Sequence, residues 1–518
     1  MRTALISLPL LLVAAAAGQP APRLPQPVVT ELKRLEETYR VLDFVAQKVW
    51  PGWNTYRKTP FLLDYENGLR VLIGHPNPPP QFQAVPDFKV EDKAVFADWT
   101  AVTPKPLLAP LRADGGPIPF GAGPDGHPLE VVHMSFRSVP SKPSESAESE
   151  SPEALAEDQM LVYIHELFHC FQRELPARRM YGNLQYNPDV TYAVYSELEG
   201  LALERAYLET DAAKGKQFLA DFLAARRRKR ASSMNTFEQN QESFDEFNEG
   251  TAVYSEFRTL EILKAGGFAP KLTATQDSDY HGFSDPDRFL RRYPDRLKRT
   301  AARTEDPRSK SYEYGCFQAI LCDRWFPGWQ SSVAGATEFI DRELGRRLAV
   351  PEDEWPRIEQ RLQQTYPFAE IQKRHTTAIE ARDNAYRALK ARAGRVYVID
   401  FKKTGQYVPG AIAGAPKVYR LGLINMYPEG VGAVKFDEVE VTGLTAPAEA
   451  NQLYYLRLID TDWRQREKPY TLDGTPQPDG TFKNAVLRTP LFTLKAPRVR
   501  ILQAGDLVKI QVLARVKE

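Results

Sequence analysis

His165, Glu166 and His169 stand in the order HExxH within LVYIHELFHCFQ, residues 161–172. On an α-helix, residues four apart share a face. The spacing therefore predicts two neutral imidazoles converging on one Zn²⁺, with Glu166, one position along, in reach of a water on that metal. This is chemistry for hydrolysis. With seven His in 518 residues, two of them flanking a Glu at this spacing is an accident expected in roughly one such chain per hundred. The plain alternative is two histidines on a surface helix. A catalytic zinc keeps three protein ligands and one open position, so another residue must complete the set. No HxxGxxH continuation follows His169, because the next residues are CFQRELPARRM. A carboxylate from a later helix is the expected solution.

Two later helical stretches carry such a carboxylate in a Glu-Gly-x-Ala element: Glu199-Gly200-Leu201-Ala202 and Glu249-Gly250-Thr251-Ala252. Glu246 is a neighbouring alternative. An acidic residue in a first helical turn is also favourable without any metal. A hydrolase further needs a donor for the developing oxyanion, and the candidates are Tyr254, Tyr312, Tyr314 and His281. Tyr254 follows Glu249 by five positions, about 140° round an ideal helix, which predicts packing rather than contact with the metal. Tyr312 and Tyr314 open an apolar helix. The donor stays unassigned.

HELFH at 165–169, followed by NEGTAVY at 248–254, resembles the gluzincin metallopeptidases, in particular the thermolysin-like peptidase MA group. The resemblance covers these two motifs only. It implies that His165, His169 and Glu249 bind zinc, that Glu166 is the general base, and that the surrounding helical region is zincin-like. The sequence departs from the family in the long separation of His169 from Glu249, which keeps Glu199 as runner-up, although Leu203 and Glu204 stand where the family's motif has its Tyr. The expected function is an exported zinc-dependent metallopeptidase that hydrolyses peptide bonds of a peptide or protein substrate through a zinc-activated water, with Glu166 as general base. Two alternatives remain: a non-catalytic binding or scaffold protein that works through its C-terminal β domain, and a zinc hydrolase of non-peptide amides or esters.

The opening MRTALISLPLLLVAAAAGQPAP has a positive Arg2, a short apolar run and small residues at Ala15 and Ala17, which reads as a signal peptide over 1–18 and predicts a secreted or periplasmic protein. No later stretch approaches the roughly 20 apolar residues of a membrane span. A formal net charge of +1 implies no nucleic acid and no anionic membrane surface as partner. The run RRRKR at 226–230 reads as the solvated last turn of a helix, where cations are favourable. Cys170, Cys316 and Cys322 make no disulfide framework and read as buried small apolar residues. Nothing in the composition sets the oligomeric state.

The elements that must position the motif are α+β overall. Residues 19–136 read as a mixed α/β region: a helix over about 28–50 stopped by Pro51 and Gly52, strands at TPFLLDY and LRVLIGH, and a strand at LEVVHMSF that holds His133, read as a satisfied histidine. Residues 137–394 read as the helical zinc-peptidase region. It begins with a Ser- and Glu-rich surface loop at 137–152, and Ser151, Pro152 and Glu153 provide an N-cap, a first-turn Pro and a first-turn acid for the motif helix. Residues 395–518 carry β-type runs broken by Gly, Pro and Asp and read as a β-sandwich-like accessory domain.

Overall fold

The computed structural model describes residues 23–513 apart from 104–106, 108–110, 125, 139–154, 176–187, 304–306, 336–338, 405–411, 413–417, 422–423, 437–438, 452–453 and 466–467. The expected signal peptide, the Ser151-Pro152-Glu153 cap and most of the acidic loop lie outside the described residues. The chain is broadly α+β, with a mixed sheet towards its N-terminus and a sheet-rich C-terminal region. It folds as two compact units. One contains the chain as far as Pro143 together with Ser149–Gln172 and Ala265–Ser284, and the other contains Arg173–Lys264 and Asp285–Glu518. Among the described residues no helix is long and apolar enough to cross a membrane.

The first unit begins with α1 (Gln26–Val49). Val28, Leu32, Leu35, Tyr39, Leu42, Val45 and Val49 are buried at helical spacing, which makes one continuous apolar stripe. The helix stops before Pro51 and Gly52, the latter with φ +86°. Six strands follow: β1 (Phe61–Tyr65), β2 (Arg70–Ile73), β3 (Gln83–Val90), β4 (Lys93–Asp98), β5 (Leu111–Ala122) and β6 (Pro128–Ser138). They form one sheet in the order β3-β4-β2-β1-β6-β5, in which only β1 and β6 run parallel, with Phe61 beside Val132. The motif helix, α2 (Leu155–Glu174), packs on this unit through aromatic rings. Tyr163 meets Phe61 edge-on at 5.7 Å between centroids, and Phe168 meets Trp50 at 5.4 Å and Trp53 at 4.9 Å. These are the distances of favourable T-shaped pairs.

Buried acids tie the unit together. Glu31 of α1 accepts from Tyr163 Oη at 2.9 Å and from Arg34 at 2.7 Å. Arg34 also holds Asp277 in a two-pronged contact at 2.5 and 2.9 Å. Glu37 accepts the backbone N–H groups of Lys271 and Leu272, and Glu157 of α2 accepts that of His281 at 2.6 Å. Segment 265–284 is thereby held to α1 and to the first turns of α2 by charge-assisted bonds, which are stronger than neutral ones.

The second unit is helical as far as residue 390. Its elements are α3 (Val190–Leu208), α4 (Ala212–Ser233), α5 (Thr236–Lys264), α6 (Pro286–Leu290), α7 (Arg292–Ala301), α8 (Pro307–Trp325), α9 (Trp329–Gly335), α10 (Ile340–Leu348), α11 (Trp355–Thr365) and α12 (Phe368–Lys390). Asp189 caps α3 by accepting from Tyr192 N, and Asp211 caps α4 by accepting from Lys214 N, each satisfying an orphan donor of the first turn. The reading of RRRKR as a solvated helix end is corrected here. α4 continues to Ser233, and Arg226 and Lys229 are buried while Arg227 and Arg228 are exposed. The i, i+3 spacing turns one Arg and one Lys inward, where Glu199, Glu242 and Glu246 answer their charge. All three cysteines are buried, and none is in a disulfide among the described residues.

From Arg395 onward the unit is strand. β7 (Arg395–Lys403), β8 (Tyr419–Leu421), β9 (Ile424–Tyr427), β10 (Gly432–Phe436), β11 (Val439–Leu444), β12 (Ala448–Asn451), β13 (Tyr455–Asp460), β14 (Thr471–Pro476), β15 (Phe482–Arg488), β16 (Thr493–Ala504) and β17 (Leu507–Leu513) join in one sheet. Alternate residues such as Tyr397, Ile399 and Phe401 are buried in a single apolar cluster with Leu456, Leu487, Leu494 and Ile510, the period-2 pattern of a sheet with one covered face. The long β16 bonds β11 and β15 with its first half and β17 with its second.

Candidate metal centre

His165, Glu166, His169 and Gln172 lie on one face of α2 at i, i+1, i+4 and i+7, and all four are buried. The opposite face, with Ile164, Leu167, Phe168 and Phe171, is buried too, so the helix is fixed by packing whether or not a metal is present. His165 Nε2 and His169 Nε2 are 3.1 Å apart. His169 Nδ1 donates to Gln172 Oε1 at 2.7 Å, which leaves the lone pair of a neutral ring on Nε2, the atom that faces His165. Two nitrogens each about 2.05 Å from one tetrahedral ion would be separated by about 3.3 Å. The pair as folded is close to that spacing.

Within the first unit, His165 and His169 offer two imidazole nitrogens that could share one ion. Among the described residues of the second unit, Glu199, Glu242 and Glu246 have their ligand atoms within 4.8 Å of one another. That cluster is already answered by cations of the protein. Lys229 Nζ lies 2.7 Å from Glu199 and 2.6 Å from Glu242, and Arg226 Nη1 lies 2.6 Å from Glu246. Buried His and acidic groups of this kind could hold a metal ion.

Glu249 and Glu199 differ in their surroundings although both precede a Gly. Glu249 lies on α5, half-buried, with Asn248 Nδ2 3.4 Å from its Oε1. Glu199 lies on α3, fully buried, and is held by Arg226 at 3.3 Å as well as by Lys229. Glu246, one turn before Glu249, is bound by Arg226 and by Gln318 Nε2 at 2.7 Å; burial raises its carboxyl pKa, with Arg226 opposing that rise. The Gly of each Glu-Gly-x-Ala element serves helix packing. A Cβ on Gly200 would lie 2.4 Å from Ala301 Cβ, and one on Gly250 2.3 Å from Gly315 Cα.

Glu166 has an edge strand beside it. β5 is the last strand of its sheet, and a Cβ on Gly116 would lie 3.8 Å from Glu166 Oε2. Of the candidate oxyanion donors, Tyr254 gives its proton to Asp323 at 2.5 Å and Tyr314 gives its own to the Ser196 carbonyl at 2.5 Å. Tyr312 lies beside Glu313 on α8, and His281, exposed, is bound through its backbone to Glu157. His133 binds Asp64 at 2.8 Å. Gln172 escaped the sequence reading. Its signal was position alone, three residues beyond His169 and so on the same face.

Comparison with known protein families, with curated proteins and with solved structures returns no match for this chain.

Proposed function

We propose that the chain is an exported zinc-dependent metallopeptidase of gluzincin type on a zincin-like fold, with a β-sandwich-like accessory domain at its C-terminus. His165, His169 and Glu249 hold the metal and Glu166 acts as general base. The observation that carries the reading is the 3.1 Å approach of two buried Nε2 atoms, combined with the Nδ1–H bond to Gln172 that orients one of them for metal binding. When bound, Zn²⁺ supplies Lewis acidity and lowers the pKa of a coordinated water towards ~7.

The chain's own residues do the rest. Glu166 accepts a proton from the attacking water and returns it to the leaving amine, the two-way role expected of a positioned carboxylate. β5 is the edge strand of its sheet, beside Glu166.

The test uses purified full-length protein. The wild type is expected to carry about one zinc per chain, and Glu166→Gln to keep that zinc while losing peptide hydrolysis by about 10²-fold or more. A wild type that takes up no zinc on reconstitution would sink the proposal.

A further inference from the structure

Two helical faces of the second unit border a cleft of about 320 Å³. α5 supplies Phe257, Glu261 and Lys264 at i, i+4 and i+7. The chain through α6 into the first turn of α7 supplies Asp287, Leu290, Arg291 and Pro294 at i, i+3, i+4 and i+7. Each set has the spacing of one helical face. Tyr207, at the end of α3, completes the lining. The apolar members lie deeper than the cations: Phe257 and Leu290 are buried, whereas Lys264 and Arg291 are exposed. The Tyr207 ring is held in place. Arg324 stacks on it at 5.3 Å and donates to its carbonyl at 2.6 Å, and Phe257 and Phe317 meet it edge-on at 6.3 and 5.0 Å.

Three of the four charged side chains of the lining are answered within the fold. Lys264 Nζ lies 2.6 Å from Asp287 Oδ1, which joins the two walls, and Glu261 Oε2 lies 2.8 Å from Arg258 Nη1. Arg291 is the fourth. Its backbone N–H goes to the Asp287 carbonyl at 3.0 Å, while the Asp287 carboxylate, one turn earlier, is engaged by Lys264. Among the described residues the Arg291 guanidinium makes no ion pair and no hydrogen bond, and the Tyr207 hydroxyl makes no hydrogen bond. The cleft therefore presents one guanidinium fork beside aromatic and aliphatic surface. A planar guanidinium matches a carboxylate with two parallel bonds, and an aromatic wall suits a second ring in an offset or edge-on pair. An apolar cavity of about 150 Å³ takes up benzene, so about 320 Å³ gives room for a ring with a short acidic arm.

We propose that this cleft binds a small aryl carboxylate, with the carboxylate on Arg291 and the ring against Tyr207, Phe257 and Leu290. All of these residues belong to the second unit, and none takes part in the proposed peptidase chemistry.

The test is calorimetric titration of the full-length protein with phenylacetate, acetate and 2-phenylethanol, which carry ring and carboxylate together, the carboxylate alone and the ring alone. Phenylacetate is expected to bind saturably, with each of the other two weaker by about tenfold or more. Arg291→Gln should weaken phenylacetate binding by about tenfold, the loss of one charge-assisted bond. It should leave 2-phenylethanol binding and the thermal transition unchanged, because Arg291 is exposed. Lys298→Gln, at an exposed cation of α7 outside the cleft, should leave phenylacetate binding as it is. The proposal is overturned if phenylacetate does not bind saturably, if acetate or 2-phenylethanol binds as tightly, or if Lys298→Gln weakens binding as much as Arg291→Gln. Phenylacetate affinity unchanged by Arg291→Gln would put the carboxylate at another site, such as a bound metal, and overturns it as well.

Discussion

Gly250 of α5 and Gly315 of α8 meet backbone to backbone, so that a Cβ on Gly315 would lie 1.9 Å from the Glu246 carbonyl oxygen. The crossing fixes the turn of α5 that carries both Glu246 and Glu249. No rotamer can relieve a clash with main chain. Gly315→Ala is therefore expected to destabilise the protein by about 3 kcal/mol, the upper end for an overpacked core, and to weaken metal binding together with it. Urea unfolding and zinc titration of the same samples check this, and an unchanged unfolding midpoint would refute the close crossing.

Gln172 Oε1 accepts a hydrogen bond from His169 Nδ1 at 2.7 Å. Gln172→Ala should lower zinc affinity by about 10–100-fold, the usual effect of losing an outer hydrogen bond to a ligating His. Fold stability should change little by comparison, because Gln172 lies near the end of α2. Competition with a chromophoric chelator reads the affinity directly.

The two candidate carboxylates are expected to fail in different ways. Glu249→Ala should weaken zinc binding by more than the ~10–100-fold of an outer-shell loss and leave the ion pairs of the second unit intact. Glu199→Ala should leave zinc affinity near wild type yet cost about 1–3 kcal/mol of stability, because it removes one of the carboxylates that share the buried charges of Arg226 and Lys229. The reverse pattern would make Glu199 the ligand.

Stability should rise with pH on the alkaline side. Burial, reinforced by nearby Lys229, pushes the Lys310 ammonium down to about 8, against an ordinary value near 10.4 in the unfolded chain. The folded state therefore binds fewer protons than the unfolded state between those values. The penalty of burying the charge is full below the folded pKa and disappears as pH rises through the window. Lys310→Met should flatten that rise, because it removes the titrating group. Thermal melts between pH 7 and pH 10 would show it. A wild-type stability that falls across this range would contradict the sign.

How far each feature was legible in the sequence follows from the range of the interaction behind it. HExxH specified a helix face at once, because i and i+4 are neighbours on any helix, and the close approach of His165 and His169 follows from that alone. The alternation in 395–513 likewise announced strands, since side-chain period is a local property. The meaning of RRRKR was not local. The same five residues suit a solvated helix end or an inward-facing ion cluster, and the acids at 199, 242 and 246 that decide between them stand on other helices.

The sequence by itself determined the shared helix face of His165, Glu166 and His169, the α+β character and the run of helices and strands, because each depends on contacts within a few turns of one element. Only the tertiary structure decided that Gly250 is a helix crossing, that Glu199 belongs to a buried ionic cluster, and that Gln172 accepts a hydrogen bond from His169. Those facts depend on side chains and carbonyls that meet only once the elements have packed, where a few tenths of an ångström and one nearby opposite charge settle what a residue does.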